Sequence, residues 1–315
     1  MHIFKSFKIR KEFSDSIIAI GNFDGVHIGH QVVIKKAVRI SKKEKKKVGI
    51  LTFEPHPKCY FKKKYDFFRL TPLDQKLEIF KTMGLDFVIN IKFDEKFYKK
   101  TAYDFLEKNL VENLKVNSVV TGFDFVFGNK KSGNVDFISD YAEKTKKFKF
   151  FEVKEVKKNN NLVVSSSVIR NFLRSGEIKK ANKLLTRKWS ITGKVIEGEK
   201  KAREIGFKTA NIKMNDFCNL KNGVYAVKIK LLKMHKKTDF LGIANFGIKP
   251  TFNKTDPLLE VHLFDFNSNL YKENLKIIFY QFIRPEKRFE SIEKLKDQII
   301  KDINQVKNDR LFKNN

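Results

Sequence analysis

Short apolar runs alternate with segments of helical periodicity through the first half of the chain. Ile17–Ile20 is an uninterrupted apolar run that ends at Gly21, and Val33, Ala37 and Ile40 then recur at helical spacing. Together they predict a buried strand, a tight loop and a helix. Further strands are predicted over residues 48–53, 86–91, 117–121 and 148–156, with helices over 71–83 and 101–114. This alternation predicts an α/β Rossmann-like domain with a doubly wound parallel sheet.

The pattern changes after Trp189. Short strands separated by turns are predicted over residues 190–196, 223–230, 241–246, 259–266 and 274–282, and one helix over 291–306. Such spacing is typical of a small antiparallel β-barrel with a C-terminal helix. We therefore expect two domains, a parallel-sheet domain over residues 1–186 and a barrel domain over residues 187–315.

The composition indicates a folded protein of a reducing compartment. The 315-residue chain is 41% hydrophobic, which is enough for two apolar cores. Its two cysteines, Cys59 and Cys218, stand alone in the sequence, a usage that favours free thiols. Residues 1–13 are basic and lack the apolar core of a signal peptide, and no apolar run has membrane-spanning length. We expect a cytoplasmic protein without a membrane partner.

The strong positive charge raises a nucleic-acid hypothesis. The formal net charge is +30, from 66 basic and 36 acidic residues. The lysines lie in scattered runs, and neither an aromatic RNA-binding signature nor zinc-finger spacing accompanies them. The chain is also rich in Phe, Asn and Ile, residues with A/T-rich codons, so compositional drift explains part of the lysine excess. We expect weak, salt-dependent binding and no specific nucleic-acid partner.

Residues 21–30 read Gly-Asn-Phe-Asp-Gly-Val-His-Ile-Gly-His and are the strongest candidate for chemistry. The glycines allow close approach of a ligand to the backbone, and the following helix N-terminus offers N–H groups and partial positive charge. His27 and His30 could hold phosphate oxygens as charge develops during displacement at phosphorus. The lysine of a G-x-x-x-x-G-K-[ST] loop is missing, so this is not a P-loop. Supporting ligands at a metal-site spacing are also missing, which disfavours a metal at the two histidines.

Polar residues also follow other predicted strands. Glu54-Pro55-His56-Pro57 follows the second strand and should lie beside the two histidines, because ligands collect at the carboxyl ends of parallel strands. Asp124 lies among aromatic residues after the fourth strand, where its carboxylate needs a partner or a ligand; a turn carboxylate is the alternative. Residues 165–170 read Ser-Ser-Ser-Val-Ile-Arg before a helix. Helix capping explains one of these serines but not three hydroxyls with an arginine.

These stretches resemble the bacterial bifunctional riboflavin kinase/FAD synthetase family. The resemblance rests on residues 21–30, 52–57 and 165–170 in the first half and on residues 198–211 and 260–266 in the second, in the family's order. It implies two ATP-dependent reactions. The C-terminal domain would phosphorylate riboflavin to FMN, and the N-terminal domain would adenylylate FMN to FAD with release of pyrophosphate. The small-molecule partners would be riboflavin, FMN, FAD and ATP, with Mg²⁺ as cofactor.

The resemblance also assigns residues in the N-terminal domain. His27, His30 and Arg170 would be catalytic, stabilising the charge that develops on the phosphates. The residues expected to bind the nucleotide are Gly21, Phe23, Asp24, Gly29, Ser165, Ser166 and Ser167. The residues expected to bind the flavin are Phe53, Asp124 and Phe125.

In the barrel the resemblance implies a second nucleotide site. Gly198, Thr209 and Asn211 would bind the nucleotide, and the Thr209 hydroxyl and the Asn211 amide oxygen could jointly hold Mg²⁺ against the ATP phosphates. Glu260 would be the catalytic base that takes the proton from the substrate hydroxyl. His262, on the same strand, is expected to be structural.

Two departures from the family pattern leave alternatives open. Lys208 stands where the family has proline, and Ala202 stands where glycine is usual. Loss of the proline should leave the nucleotide loop more mobile, so one alternative is a monofunctional FAD synthetase with an impaired kinase domain. Another alternative is a class I aminoacyl-tRNA synthetase-like nucleotidyltransferase, which would share His-Ile-Gly-His but needs a lysine-rich second signature that this chain lacks. The sequence does not determine the oligomeric state.

Overall fold

The computed structural model describes residues 1–62, 68–158, 161–197, 206–214, 217–232, 239–248 and 257–313. Contacts between Cα atoms divide the chain into two compact units. The first unit comprises Met1–Tyr65 and Thr71–Ser166, and the second comprises Asp66–Leu70 and Ser167–Asn315. Each unit contains its own sheet and its own apolar core.

The first unit is built on a six-stranded sheet in which all neighbouring strands are parallel. Its strands are β1 (His2–Phe4), β2 (Ile17–Ile20), β3 (Val48–Glu54), β4 (Phe87–Lys92), β5 (Ser118–Gly122) and β6 (Lys149–Val153), in the spatial order β1-β4-β3-β2-β5-β6. Its helices are α1 (Ile28–Glu44), α2 (Pro57–Lys62), α3 (Leu73–Lys81), α4 (Glu95–Tyr98), α5 (Ala102–Asp104) and α6 (Val135–Thr145), with 3₁₀ turns at Lys11–Phe13 and Asn129–Lys131.

Strand β2 lies inside the sheet and is buried on both faces. Ile18 and Ile20 belong to the apolar cluster on one face, and Ile17 and Ala19 belong to the cluster on the other. All four residues are at most 2% exposed, which explains why the strand reads as a continuous apolar run and not as an alternating one. The predicted doubly wound α/β fold is confirmed.

The first unit differs from the predicted elements in three ways. The helix predicted over residues 101–114 begins as α5 and continues as a π-helix, Phe105–Asn113, which ends with the Leu114 N–H donating to the Asn109 carbonyl at 3.1 Å. Strand β1 and helices α2, α4 and α6 lie outside the predicted elements; β1 is too short to show periodicity. The strand predicted over residues 148–156 ends at Val153, and two short antiparallel strands follow it, β7 (Lys157–Lys158) and β8 (Leu162–Val163).

The second unit contains the predicted antiparallel barrel, closed by six strands. They are β9 (Ser190–Ile196), β10 (Ala210–Lys213), β11 (Gly223–Leu231), β12 (Asp239–Ile248), β13 (Pro257–Leu263) and β14 (Asn274–Arg284), in the order β10-β13-β12-β11-β14-β9. Strand β10 is the one that the apolar pattern misses, because it has only four residues. It pairs with β13 and β9 and thereby completes the ring.

Helices α7 (Ser166–Arg174), α8 (Ile178–Leu185), α9 (Ile292–Asn308) and α10 (Arg310–Lys313) complete the elements of the chain. Asn182 on α8 donates to the Phe279 carbonyl at 2.9 Å and accepts the Trp189 backbone N–H at 2.6 Å, which fixes α8 to the barrel. Val306 on α9 packs with Val224 of β11 in an apolar cluster. Most of α7 and all of α8 are thus grouped with the barrel in the second unit. The predicted domain boundary, after residue 186, lies beyond both helices, and it stays a prediction.

Candidate active sites

The loop between β2 and α1 brings two imidazole rings to the N-terminus of a helix. His27 is the N-cap residue of α1, and its Nδ1 accepts the His30 backbone N–H at 3.4 Å. The two rings stack with centroids 3.6 Å apart, and His27 is buried. Because Nδ1 of His27 accepts, the ring proton of neutral His27 lies on Nε2. The arrangement can offer imidazole and backbone donors to a phosphate at the helix N-terminus.

Two glycines of this loop lie against aromatic or imidazole rings. A Cβ added at Gly21 would lie 3.1 Å from the Phe23 ring, and one added at Gly29 would lie 3.2 Å from the His27 ring. Phe23 is buried and meets the His30 ring edge-on at 5.4 Å. These residues therefore shape the histidine pair, and their predicted contact with the nucleotide stays a prediction.

Asp24 and Ser166 hold the same loop in place. The buried Asp24 carboxylate accepts the Thr71 backbone N–H at 3.0 Å, and the Asp24 carbonyl accepts the Ser166 hydroxyl at 2.8 Å. Ser165 is half-buried beside Ser166. Asp24 and Ser166 thus have a positional role that the sequence did not predict, and their assignment to the nucleotide, with that of Ser165, is untested.

Ser167 and Arg170 belong to the second unit. Ser167 is exposed, whereas Arg170 is buried. The Arg170 Nε donates to the Phe68 carbonyl at 2.8 Å, and its guanidinium carbon lies 4.0 Å from the Phe68 ring centroid. The arginine is thus anchored by hydrogen bonding and cation–π contact, and its assignment to the ATP phosphates stays a prediction.

The three predicted flavin contacts have different surroundings. Phe53 is buried in the core of the first unit and packs 5.3 Å from the Phe97 ring. Asp124 is exposed, and Phe125 is half-buried and stacks on Phe127 at 5.5 Å. Asp124 and Phe125 are therefore more accessible to a ligand than Phe53.

An exposed aromatic residue on α2 was not among the predicted flavin contacts. Phe61 is 60% exposed, and its ring lies edge-on to Phe93 at 5.7 Å and to Tyr98 at 5.3 Å. Exposed phenylalanines supported by other rings offer a flat apolar platform to a planar ligand. In the sequence, the only indication that Phe61 could contact a ligand is its position a few residues after the loop at residues 54–57.

A row of polar side chains crosses three strands of the barrel. Glu260 of β13 pairs in register with Asn211 of β10 and with Asn245 of β12, so the three side chains lie on one face of the sheet. Leu259 and Val261 are buried, whereas Glu260 is half-buried, so the row lies on the outer face of the barrel. Because the row places a carboxylate beside two amides, it can hold a polar substrate group and accept its proton.

A cavity of about 220 Å³ lies at one end of this row. Its polar wall includes Thr209 and Asn211, and its aromatic wall includes Phe266 and Tyr271. A lining with both polar groups and aromatic rings suits a nucleotide, because the polar groups can bind phosphates and a ring can stack on the base. The predicted residue Gly198 lies outside the described residues, as does Ala202.

The segment that leads into β10 is tied to the strand that carries Glu260. His262 Nδ1 lies 2.9 Å from the Lys208 carbonyl, and its ring is edge-on to Phe207 at 5.4 Å. Burial lowers the pKa of His262 below its ordinary value of 6.5, and the Lys208 carbonyl opposes this effect. The Lys208 ammonium donates to the Asn267 carbonyl at 3.2 Å. Lys208, which replaces the proline of the family pattern, therefore links the segment before β10 to the loop after β13.

The donor set near Glu260 fits a hard cation better than a soft one. The buried Asn211 Oδ1 has no hydrogen-bond partner among the residues that the structure describes. Amide and hydroxyl oxygens are ligands that Mg²⁺ accepts together with phosphates and water. Within the same described residues there is no group of three or more His, Cys, Asp or Glu side chains that could hold a metal by themselves. A metal here would need ligands from the substrate.

Two protein-family models match the chain. The FAD synthetase model matches residues 9–168, and the riboflavin kinase model matches residues 185–309. The bifunctional riboflavin kinase/FMN adenylyltransferase of Buchnera aphidicola subsp. Schizaphis graminum is 40% identical over 301 residues, 95% of each chain. The protein of the same name from Escherichia coli (strain K12) is 33% identical over 288 residues, 91% of this chain and 90% of that one.

The likeness extends to a solved structure. A crystal structure described as a macrolide-efflux protein from Streptococcus pneumoniae is similar with a TM-score of 0.85 at 26% identity, and the match covers 97% of this chain and 98% of that one. No helix among the described residues is both long enough and apolar enough to cross a bilayer.

Proposed function

This chain belongs to the bifunctional riboflavin kinase/FMN adenylyltransferase family, and we propose that Glu260 and the His27–His30 loop carry its two reactions. The chain holds both an FAD synthetase domain and a riboflavin kinase domain, so it acts on riboflavin, FMN and ATP. The observation that supports the residue assignment is that each domain has one cluster of polar side chains able to act on phosphate.

In the barrel, Glu260 would take the proton from the ribityl 5′-hydroxyl of riboflavin. The hydroxyl oxygen then forms a bond to the γ-phosphorus of ATP while the bond from that phosphorus to the bridging oxygen breaks, giving FMN and ADP. The register of Glu260 with Asn211 and Asn245 supports this role, because the amides can orient the hydroxyl beside the carboxylate. A positioned carboxylate base contributes roughly a hundredfold to ten-thousandfold in rate.

The same site would hold Mg²⁺ with the nucleotide. The Asn211 amide oxygen and the Thr209 hydroxyl are the protein ligands that we propose, on the evidence of the buried Asn211 Oδ1 and of the cavity beside both residues. When bound, the ion would neutralise charge on the ATP phosphates. The adenine would occupy the end of the cavity near Tyr271.

In the parallel-sheet domain, a phosphate oxygen of FMN would attack the α-phosphorus of ATP. The bond from that phosphorus to the leaving pyrophosphate breaks as the new bond forms. No protein nucleophile is required, because the attacking phosphate is already anionic. The His27 Nε2–H and the N–H groups of Ile28 and Gly29 at the start of α1 would bind the phosphate oxygens as charge develops, and His30 would support them from the stacked ring. Positioning and electrostatics therefore supply most of the rate enhancement.

The flavin of FMN would lie near the loop that holds Asp124 and Phe125 and on the exposed ring of Phe61. The solvent-facing Phe61 ring, supported by Phe93 and Tyr98, favours it over the buried Phe53 as the stacking platform. This is the one change that we propose in the predicted flavin contacts. A cytoplasmic location and the lack of a specific nucleic-acid partner stay predictions.

The test is to incubate the purified full-length chain with ATP and Mg²⁺ and either riboflavin or FMN, and to separate the flavins by chromatography over time. FMN that forms first and then passes to FAD would support both assignments in one chain. FAD formed only from supplied FMN would mean that the barrel has lost kinase activity, as the Lys208 departure allows. No conversion in either sample would contradict the proposal.

A further inference from the structure

Three carbonyl oxygens of the loop between β2 and α1 are held by side chains from other parts of the first unit. The Asn22 carbonyl accepts from Lys76 Nζ at 3.2 Å and from Thr52 Oγ1 at 3.3 Å. The Asp24 carbonyl accepts from Ser166, and the Val26 carbonyl accepts from Gln31 Nε2 at 2.9 Å. Because each of these oxygens accepts a hydrogen bond from a protein side chain, these bonds restrain the backbone of the loop.

The lysine in this set is buried. The Lys76 side chain on α3 is 1% exposed, and its ammonium also forms an ion pair with Glu54 at 3.0 Å. Taking an ammonium out of water is strongly unfavourable unless ion pairing and hydrogen bonds offset the loss of hydration. Lys76 therefore joins the carboxyl end of β3, where Glu54 lies, to the loop that follows β2.

The loop needs such restraints because its backbone is strained. Phe23 has a φ of 49° and Val26 a φ of 41°, in the left-handed region that side-chain-bearing residues rarely adopt. A β-branched residue such as valine is especially disfavoured there, and such conformations persist only where the surroundings enforce them. Contacts on both sides of Phe23 supply that enforcement.

We propose that Lys76 is a positioning residue for adenylyl transfer. Its ammonium fixes the Asn22 carbonyl, and through it the loop that presents His27 and the first N–H groups of α1. Lys76 acts through the backbone and touches no reacting atom. This inference rests on the adenylyl-transfer site proposed above.

The experiment compares full-length variants in the conversion of FMN to FAD. Lys76→Met removes the ammonium while keeping an unbranched chain, and Lys76→Arg keeps a positive charge. We expect Lys76→Met to lower kcat by about tenfold to a hundredfold, as for a misplacement of catalytic groups, with a KM for ATP changed by less than about threefold. Lys76→Arg should recover part of the lost kcat, a rescue that a purely steric role would not produce.

Two controls accompany these variants. Lys81→Met changes an exposed lysine on the same helix and should leave kcat unchanged. Phosphorylation of riboflavin by the same preparation reports on the fold of the barrel and should also be unchanged. Thr52→Val removes the other donor to the Asn22 carbonyl and should lower kcat in the same direction, which keeps the test open if Lys76→Met fails to fold.

The outcomes separate this inference from the function on which it rests. A folded Lys76→Met variant that keeps kcat within about twofold of the native value would overturn the inference, provided that His30→Ala abolishes FAD formation. If Lys76→Met does not fold, Thr52→Val decides the test: native kcat in that variant would show that the restraint on the Asn22 carbonyl is not needed, and would overturn the inference. Normal FAD formation by His30→Ala would overturn the proposed site, and with it any positioning role for Lys76.

Discussion

Gly29, in the first turn of α1, lies against the ring of His27, a candidate catalytic residue. An added Cβ would lie 3.2 Å from Cε1 and 3.3 Å from Nδ1 of His27. Contacts this short force the imidazole to shift by a few tenths of an ångström. The close approach of backbone and ring, and not a special backbone angle, is therefore the reason for glycine here.

We expect Gly29→Ala to lower the rate of FAD formation while leaving stability equal or higher. The methyl group displaces the His27 ring, whereas alanine in a helix is favoured over glycine by about 1 kcal/mol. Initial rates from FMN and urea unfolding of the same variant test the two halves of this prediction. A variant with native rate, or one whose lost rate merely follows lost stability, would contradict it.

His262 should make the stability of the barrel depend on pH. Burial lowers the pKa of His262, so below its ordinary value of 6.5 the unfolded chain binds the proton more readily than the folded one. Stability is therefore present above about pH 6.5 and is lost as the pH falls through the lowered pKa. Of the neighbouring charges, Lys307 lowers this pKa further and Asp265 raises it.

Urea unfolding at about pH 7.5 and about pH 5 measures this effect. The native chain should lose more stability between the two values than His262→Phe, which has no titrating group at this position. Other groups titrate in both proteins and cancel in the comparison. Equal losses in the two proteins would show that His262 does not contribute to the pH dependence.

At the scale of elements, a buried ion pair joins α9 to the barrel. Arg284 at the end of β14 donates to both carboxylate oxygens of Asp302 on α9, at 2.8 and 3.0 Å, and Asp302 is 2% exposed. Gln298 adds a further hydrogen bond at 2.9 Å. The pair fixes the register of the helix beside the apolar contact of Val306.

Asp302→Asn should destabilise the second unit by about 3 kcal/mol, because it leaves the guanidinium without its counter-charge in a buried place. The double variant Arg284→Met with Asp302→Leu should recover much of that loss, since an apolar pair can replace a buried ion pair of similar volume. Urea unfolding of the full chain, followed through the signal of the buried Trp189, measures both. If Asp302→Asn is as stable as the native chain, the ion pair is not what holds α9.

At the scale of the whole molecule, each of the two units has its own apolar core and its own cluster of functional residues. His27 and His30 lie in the first unit, whereas Glu260, Asn211 and Thr209 lie in the second. Loss of one cluster should therefore leave the chemistry of the other intact.

We expect His30→Ala to abolish FAD formation and to spare FMN formation. Glu260→Ala should stop FMN formation and leave the conversion of FMN to FAD intact. The rate of FMN formation should fall by about a hundredfold to ten-thousandfold in the glutamate variant. Flavin chromatography, starting separately from riboflavin and from FMN, distinguishes the two steps. Equal loss of both activities in a folded variant would refute the separation, and normal FMN formation by Glu260→Ala would refute its role as base.

The order of elements and the family could be predicted from the sequence, because they depend on local patterns. The apolar run at Ile17–Ile20, the alternation of strands and helices, and the run of short strands after Trp189 predicted both architectures. Residues 21–30 and 260–266 marked both candidate sites. The classes of function that the net charge and the composition disfavour are mostly ones that the motifs already disfavour.

Only the tertiary structure decided which side chains face one another. Lys76 reads as an ordinary surface lysine on an amphipathic helix, yet it is buried against Glu54 and the Asn22 carbonyl, which lie far away in the chain. Nothing in the sequence distinguishes the environments of Phe53 and Phe61, but Phe53 is buried in the core and Phe61 is exposed. Such contacts depend on the packing of distant segments, and neither hydrophobic periodicity nor motif spacing carries that information.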